Sequence, residues 1–149
     1  MNQNTIHNFI WAPIFLIGLV SLAFGFIWVL HPEPWLLDQP ANEALLQTSF
    51  NELFSEDANK FLPSYLIVIY RFFGLWLITI GLLVLSYVKI TKLGTKQARL
   101  SIHSTLFLTL ISMYYLIFKY LPASPLIPTL YIFTLFLGLS IYFSNRITS

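Results

Sequence analysis

The side chains able to do chemistry fall mostly around one proline-rich segment, HPEPWLLDQP, which carries His31, Glu33, Trp35 and Asp38, with Trp28 just upstream. Arg71 and Lys119 are cations set in otherwise apolar sequence. Two cations with aromatic walls from Trp28, Trp35, Tyr65, Tyr70, Tyr114, Tyr115 and Tyr120 could hold an anionic head group, such as a carboxylate, a phosphate or a quinone oxygen. The competing reading is that both cations snorkel toward water, pair with loop acids and sit in an aromatic belt. Other chemistries lack parts. A Ser–His–acid triad built on SIHS (Ser101, His103, Ser104) has no carboxylate near it in the chain to orient the imidazole. His7 and His103 belong to one end of the molecule and His31 to the other, and with no cysteine a three-ligand metal site is not expected. His7 and His103 alone could share a haem iron. No glycine loop or nucleotide motif is present, and no acid lies in an apolar stretch, where proton relays and ion pumps need one. The motifs demand no cofactor; a quinone or an anionic lipid is the ligand class the aromatic cluster would suit.

These residues must be positioned by membrane helices. Of 149 residues, 57% are hydrophobic and only 9% charged, against about 25% charged in soluble domains. That shortfall excludes a disordered or nucleic-acid-binding chain and makes the bilayer the first partner. A helix needs about 20 apolar residues to cross about 30 Å of hydrocarbon. Four stretches qualify, at about 9–30, 62–88, 100–120 and 126–143, in one polytopic domain spanning 1–149. The expected fold is an all-α integral membrane four-helix bundle. The leader MNQNTIHN has no Lys or Arg, so the first span reads as an uncleaved anchor.

Charge sets the expected orientation. KITKLGTKQAR, between spans two and three, holds Lys89, Lys92, Lys96 and Arg99 and no acid, so it belongs in the cytoplasm with both termini. All six acids lie in the 31–61 loop, on the outer side. Counting at about 1.5 Å per residue from Lys89 puts Arg71 roughly 27 Å away, and from Arg99 puts Lys119 roughly 30 Å away. Both therefore belong at the outer interface. Within the loop, HPEPWLLDQP predicts a rigid extended turn. ANEALLQTSFNELFSEDANK then spaces Leu45, Leu46, Phe50, Leu53 and Phe54 as one short amphipathic helix.

Packing faces are also legible. Gly18, Ser21 and Gly25 share a face of span one, and Gly74 and Gly81 a face of span two. Antiparallel pairing matches Gly25 with Gly74 and Gly18 with Gly81, a close-packed seam if these glycines are not incidental. Arg71, three residues before Gly74, is expected on that inward face, with Trp28 above its guanidinium in a cation–π pair. An acidic partner is expected for it, Glu33 first and Asp38 second. Polar stripes on span three (Ser101, Thr105, Ser112, Lys119) and span four (Tyr131, Thr134, Gly138, Asn145) read as interhelical hydrogen bonding, or as the lining of a wet cavity.

PIFLIGLVSLAFGFIWVLHPEPW followed by YRFFGLWLITIGLLVL resembles small bacterial four-helix membrane proteins of the DoxX-like kind, over spans one and two. Arg71, Gly74 and Gly81 carry the match: an arginine opening the second span ahead of two glycines. The resemblance implies a bacterial cytoplasmic membrane and the four-helix architecture, and some of that group are linked to quinone-reducing complexes. The long acidic loop departs from the pattern, so no activity is carried over. Two functions remain: a non-catalytic accessory or interaction subunit whose acidic loop meets a membrane protein or a second copy, or a holder of a quinone or anionic lipid near Arg71.

Overall fold

The computed structural model describes residues 2–147. Four long helices carry the fold: α1 (Gln3–Leu30), α4 (Leu62–Thr91), α5 (Lys96–Tyr120) and α6 (Ile127–Ser144). Each is long and apolar enough to cross a membrane. Two short helices, α2 (Gln39–Leu46) and α3 (Phe50–Ser55), lie between α1 and α4, and no strand occurs among the described residues. The fold is all-α. Helix starts follow local chemistry: Thr95 caps α5 by accepting from the Ala98 N–H at 3.1 Å, and prolines at the first positions open α4 and α6.

The central helix is α1, which packs along α4 on one side and α6 on the other, with α5 laid against α6. The α1–α4 contact is made by backbone. A Cβ added at Gly25 would fall 2.7 Å from the Gly74 carbonyl oxygen, and one at Gly74 would fall 2.8 Å from that of Gly25. Gly81 sits in the same way against Gly18 and Leu22, so each helix uses its glycines to admit the other's main chain. Ser21 is buried on the same face, its hydroxyl donating to the Ile17 carbonyl. Below the seam, a core of Ile10, Ile14, Ile17, Val84 and Val88 joins Ile102, Leu106 and Leu110 of α5 and Leu130 and Leu137 of α6.

The connection after α1 departs from expectation. HPEPWLLDQP is not extended: Pro34–Asp38 forms a 3-10 turn that runs directly into α2. Proline forbids a helical hydrogen bond only at its own nitrogen, so Pro34 and Pro40 at first-turn positions start helices. The single amphipathic helix is also two, broken at Gln47, which adopts φ 56°. Phe50 and Phe54 stack at 5.4 Å between ring centroids, and Trp35 meets Phe54 edge-on at 5.6 Å. These rings form a small core that makes residues 31–61 a folded cap on the α1–α4 hairpin, while Leu45 and Leu46 stay exposed.

The polar stripe on α5 points away from the bundle. Ser101, Thr105, Ser112 and Lys119 are exposed, and the Thr105 and Ser112 hydroxyls donate to carbonyls of their own helix at 2.9 Å. The buried face of α5 is instead Ala98, Arg99, Ile102, His103, Leu106, Leu110 and Ile117. On α6, Tyr131, Thr134, Gly138 and Asn145 are exposed as well; Thr134 meets the Tyr114 hydroxyl of α5 at 2.9 Å and Tyr131 packs its ring on that of Tyr114 at 6.2 Å.

Candidate functional site

At the cap end, the structure disperses the residues that the sequence suggested as a cluster. Arg71 is exposed rather than turned into the glycine seam, and among the described residues its guanidinium forms no hydrogen bond or ion pair. One residue is about 100° of helix, so a position three before Gly74 sits about 60° around from it, enough to leave a close-packed glycine face. Trp28 lies instead over Tyr70, edge-on at 6.0 Å. Lys119 is on α5, which does not pack along α4, and it is held by its own helix: Nζ donates to the Tyr115 hydroxyl at 2.7 Å and lies over the Tyr115 and Tyr120 rings. The two cations do not meet.

None of the acids pairs with Arg71 among the described residues. Glu33 is exposed; its backbone N–H donates to His31 Nδ1 at 3.1 Å, which closes the turn after α1. Asp38 is 9% exposed, yet its Oδ1 has no hydrogen-bond partner and its side chain does not cap α2. Burial pushes its carboxyl above the usual carboxylate range. Asn42 ties this corner together, donating to the Asp38 carbonyl at 3.0 Å and to the Tyr70 hydroxyl at 2.6 Å. Trp35 is buried in the cap core. Glu43 is the fastener of the cap: its Oε1 accepts from the Phe50 N–H at 2.8 Å and from Gln39 Nε2 at 2.9 Å. Those bonds, the Phe50 one first, hold its carboxyl below the usual range.

A second constellation, whose His103 and Ser104 the sequence offered only for a triad or a haem and whose Arg99 it read as orientation charge, lies at the end that carries the termini. A cleft of about 510 Å³ opens between the start of α5 and the end of α6. Lys96, Arg99 and His103 line it together with Ser104, and Leu100, Phe107 and Ile141 give it apolar walls. Arg99 is 9% exposed. Its Nη1 donates to the carbonyls of Leu93 (3.2 Å) and Gly94 (3.1 Å), which fastens the α4–α5 turn, while Nε is buried without a partner. His103 is buried beside it, with Nε2 2.7 Å from the Ser140 hydroxyl. Ser140 gives its own proton to the Ile10 carbonyl at 2.6 Å, so His103 Nε2 must be the donor to Ser140. Pro13 removes the N–H that the Phe9 carbonyl would accept, and the Ile10 carbonyl, next to that gap, takes the Ser140 hydroxyl. His103 therefore pairs with a serine far along the chain and with neither Ser101 nor Ser104, and the triad reading gains no member. The haem pair fares similarly, since His103 Nε2 is engaged while His7 lines a separate cleft of about 230 Å³ beside Arg146.

Sequence reasoning passed over Arg99 because it treated the basic loop as orientation charge. The available signal was its place in α5, in register with His103 one turn on, which puts the two on one helix face without saying which way that face looks. Among the described residues no group of three or more His, Asp or Glu could hold a metal. No family model, curated protein or solved structure matches the chain.

Proposed function

We propose that this chain is a non-catalytic accessory subunit of a bacterial cytoplasmic membrane, with its termini in the cytoplasm and its 31–61 cap as the surface that meets a partner. The observation that carries this reading is the cap itself. It is folded around its own aromatic core, yet it leaves Glu33, Glu52, Glu56 and Asp57 on the surface beside the apolar Leu45 and Leu46. A mixed acidic and apolar surface on a rigid module suits a basic, partly apolar counterpart. A second copy offers three cations at that end, Lys60, Arg71 and Lys119, while Lys89, Lys92, Lys96, Arg99 and Arg146 lie at the opposite end of the molecule. We take the counterpart to be a different membrane protein richer in basic residues on the outer side, with a second copy as the other outcome of the test. The DoxX-like resemblance is in keeping with this placement.

Photo-crosslinking residues substituted at Leu45 and Ala58 in cells should capture one protein band in common, lost on Glu56→Lys/Asp57→Lys, while a crosslinker at Lys89 should not capture it. No shared adduct from the two cap positions would sink the reading. The second reading, a holder of a quinone or anionic lipid, draws its support from the Arg99 cleft rather than from Arg71.

A further inference from the structure

We infer that the cleft between α5 and α6 is a binding site for an anionic phospholipid, whose phosphate is held by the Nε–Nη2 edge of Arg99 and whose acyl chain runs down the Leu100–Phe107 face of α5. This rests on the second, ligand-holding reading and specifies its ligand.

Arg99 carries the argument. A guanidinium recognises an oxyanion best through two parallel N–H donors. Nη1 is already committed to the Leu93 and Gly94 carbonyls, and those bonds hold the group rigid. The opposite edge is unspent: Nε lacks a partner, and Nη2 makes no hydrogen bond among the described residues. Nη2 is the donor open to the cleft, and a buried donor without a partner is destabilising, so an oxyanion that draws this edge of the guanidinium outward gives Nε a partner as well as adding an ion pair.

The surroundings select the rest of the ligand. Lys96 adds a second cation and Ser104 a hydroxyl, and among the described residues no carboxylate lines the cleft. Net positive charge with no acid favours an anionic head group over a zwitterionic one, because a choline cation would find nothing to pair with. Leu100, Ser104 and Phe107 recur at spacings of four and three, which puts them on one helix face. Leu100 and Phe107 are 67% and 57% exposed, so that face leads from the polar end of the cleft into the apolar surround over roughly 10 Å. A charged head above an apolar track describes a lipid; free phosphate would leave the track unused, and a quinone would leave the guanidinium without an anion.

The test uses the full-length protein in dodecyl maltoside micelles, offered dioleoyl phosphatidylglycerol, dioleoyl phosphatidylcholine, inorganic phosphate or decylubiquinone, with bound molecules counted by native mass spectrometry. Phosphatidylglycerol should be retained in preference to phosphatidylcholine, and Arg99→Gln should weaken it about tenfold. Because Arg99 also fastens a turn, Ser104→Trp provides a second variant: it fills the cleft without touching the bonds to Leu93 and Gly94, and should block the lipid at an unchanged unfolding temperature. Lys89→Gln, a cation outside the cleft, should bind as the parent does. Equal phosphatidylglycerol binding by the parent and Ser104→Trp would overturn the assignment, as would equal losses in Arg99→Gln and Lys89→Gln. Displacement of the lipid by millimolar inorganic phosphate would also overturn it, by making this a soluble-anion site. Retention of decylubiquinone in place of the lipid would overturn the lipid but leave the ligand-holding reading standing, whereas retention of none of the four would end both.

Discussion

Asp38 and Glu43 are a few residues apart in the cap and respond to pH with opposite signs. Asp38 is buried with an unpartnered Oδ1, so its folded carboxyl holds a proton more tightly than in the unfolded chain, where 3.8 is the ordinary value. Its contribution to stability is full below that value and is lost as pH rises through the raised one. Asp38→Asn should therefore stabilise the protein at neutral pH by about 1–2 kcal/mol, a gain that shrinks as the pH falls; a thermal-unfolding series against pH reads this directly. Glu43 behaves in reverse. Its carboxylate accepts the Phe50 N–H at the start of α3, so its contribution is present above the ordinary 4.5 and is lost as pH falls through the depressed value. Glu43→Ala should accelerate amide exchange at Phe50 at neutral pH and make little difference in acid. Arg71, exposed and without a partner among the described residues, should tolerate Arg71→Leu with no change in proteolysis of the cap; a loosened cap would show that it anchors the loop after all.

At the scale of elements, the α1–α4 hairpin depends on two crossings of backbone over backbone. Gly25→Leu or Gly74→Leu would drive a side chain into main-chain atoms less than 3 Å from the new Cβ, with no flexible neighbour able to give way fully. Overpacking of this kind costs about 1–3 kcal/mol or more, and detergent melting curves should fall accordingly. Two other glycines serve as controls. Gly138 has nothing within 4 Å of an added Cβ, so Gly138→Ala should be neutral or stabilising through helix propensity, by up to about 1 kcal/mol. Gly94 would meet only the Thr91 carbonyl, at 3.5 Å, and Gly94→Leu should change stability by less than about 0.5 kcal/mol. Equal melting temperatures for the seam variants and these controls would show that close approach is not what holds α1 to α4. The α5 stripe teaches the complementary lesson. Its hydroxyls satisfy themselves on their own helix carbonyls, so a polar face has no need to be an inward one.

For the whole molecule, the acids are confined to one end, while five of the eight Lys and Arg lie at the other. The acids occupy the cap, and the 89–99 basic segment and Arg146 occupy the end with the termini. The chain has no native cysteine to interfere with labelling. Single cysteines at Glu52 and Lys96 should therefore separate cleanly toward an impermeant maleimide: the first is labelled in intact cells and the second only after lysis. Labelling of Lys96→Cys and not Glu52→Cys in intact cells would invert the orientation. The lipid proposed at Arg99 would then belong to the outer leaflet and the partner proposed for the cap to the cytoplasm.

The number of membrane-crossing helices, the all-α class and the polarity of charge were already determined by sequence, because each depends on composition over about 20 residues and not on which neighbour a side chain meets. The cap was only half legible. Its acids and aromatics could be counted, but whether prolines extend a chain or start helices depends on where the turns fall, and Gln47 breaks the run in a conformation that pattern alone does not reveal. Which faces look inward was decided by tertiary structure. In water a polar stripe must point outward, whereas in a membrane protein small, polar and apolar residues can each face either way, so periodicity loses its sign. Arg71 and the α5 hydroxyls thus lie outside, while Arg99, His103 and Ser140, spread over more than forty positions of the chain, are brought together inside. No local pattern could have paired a histidine on α5 with a serine on α6 and a carbonyl near the start of α1; only the packing of three helices around Ile10 does so.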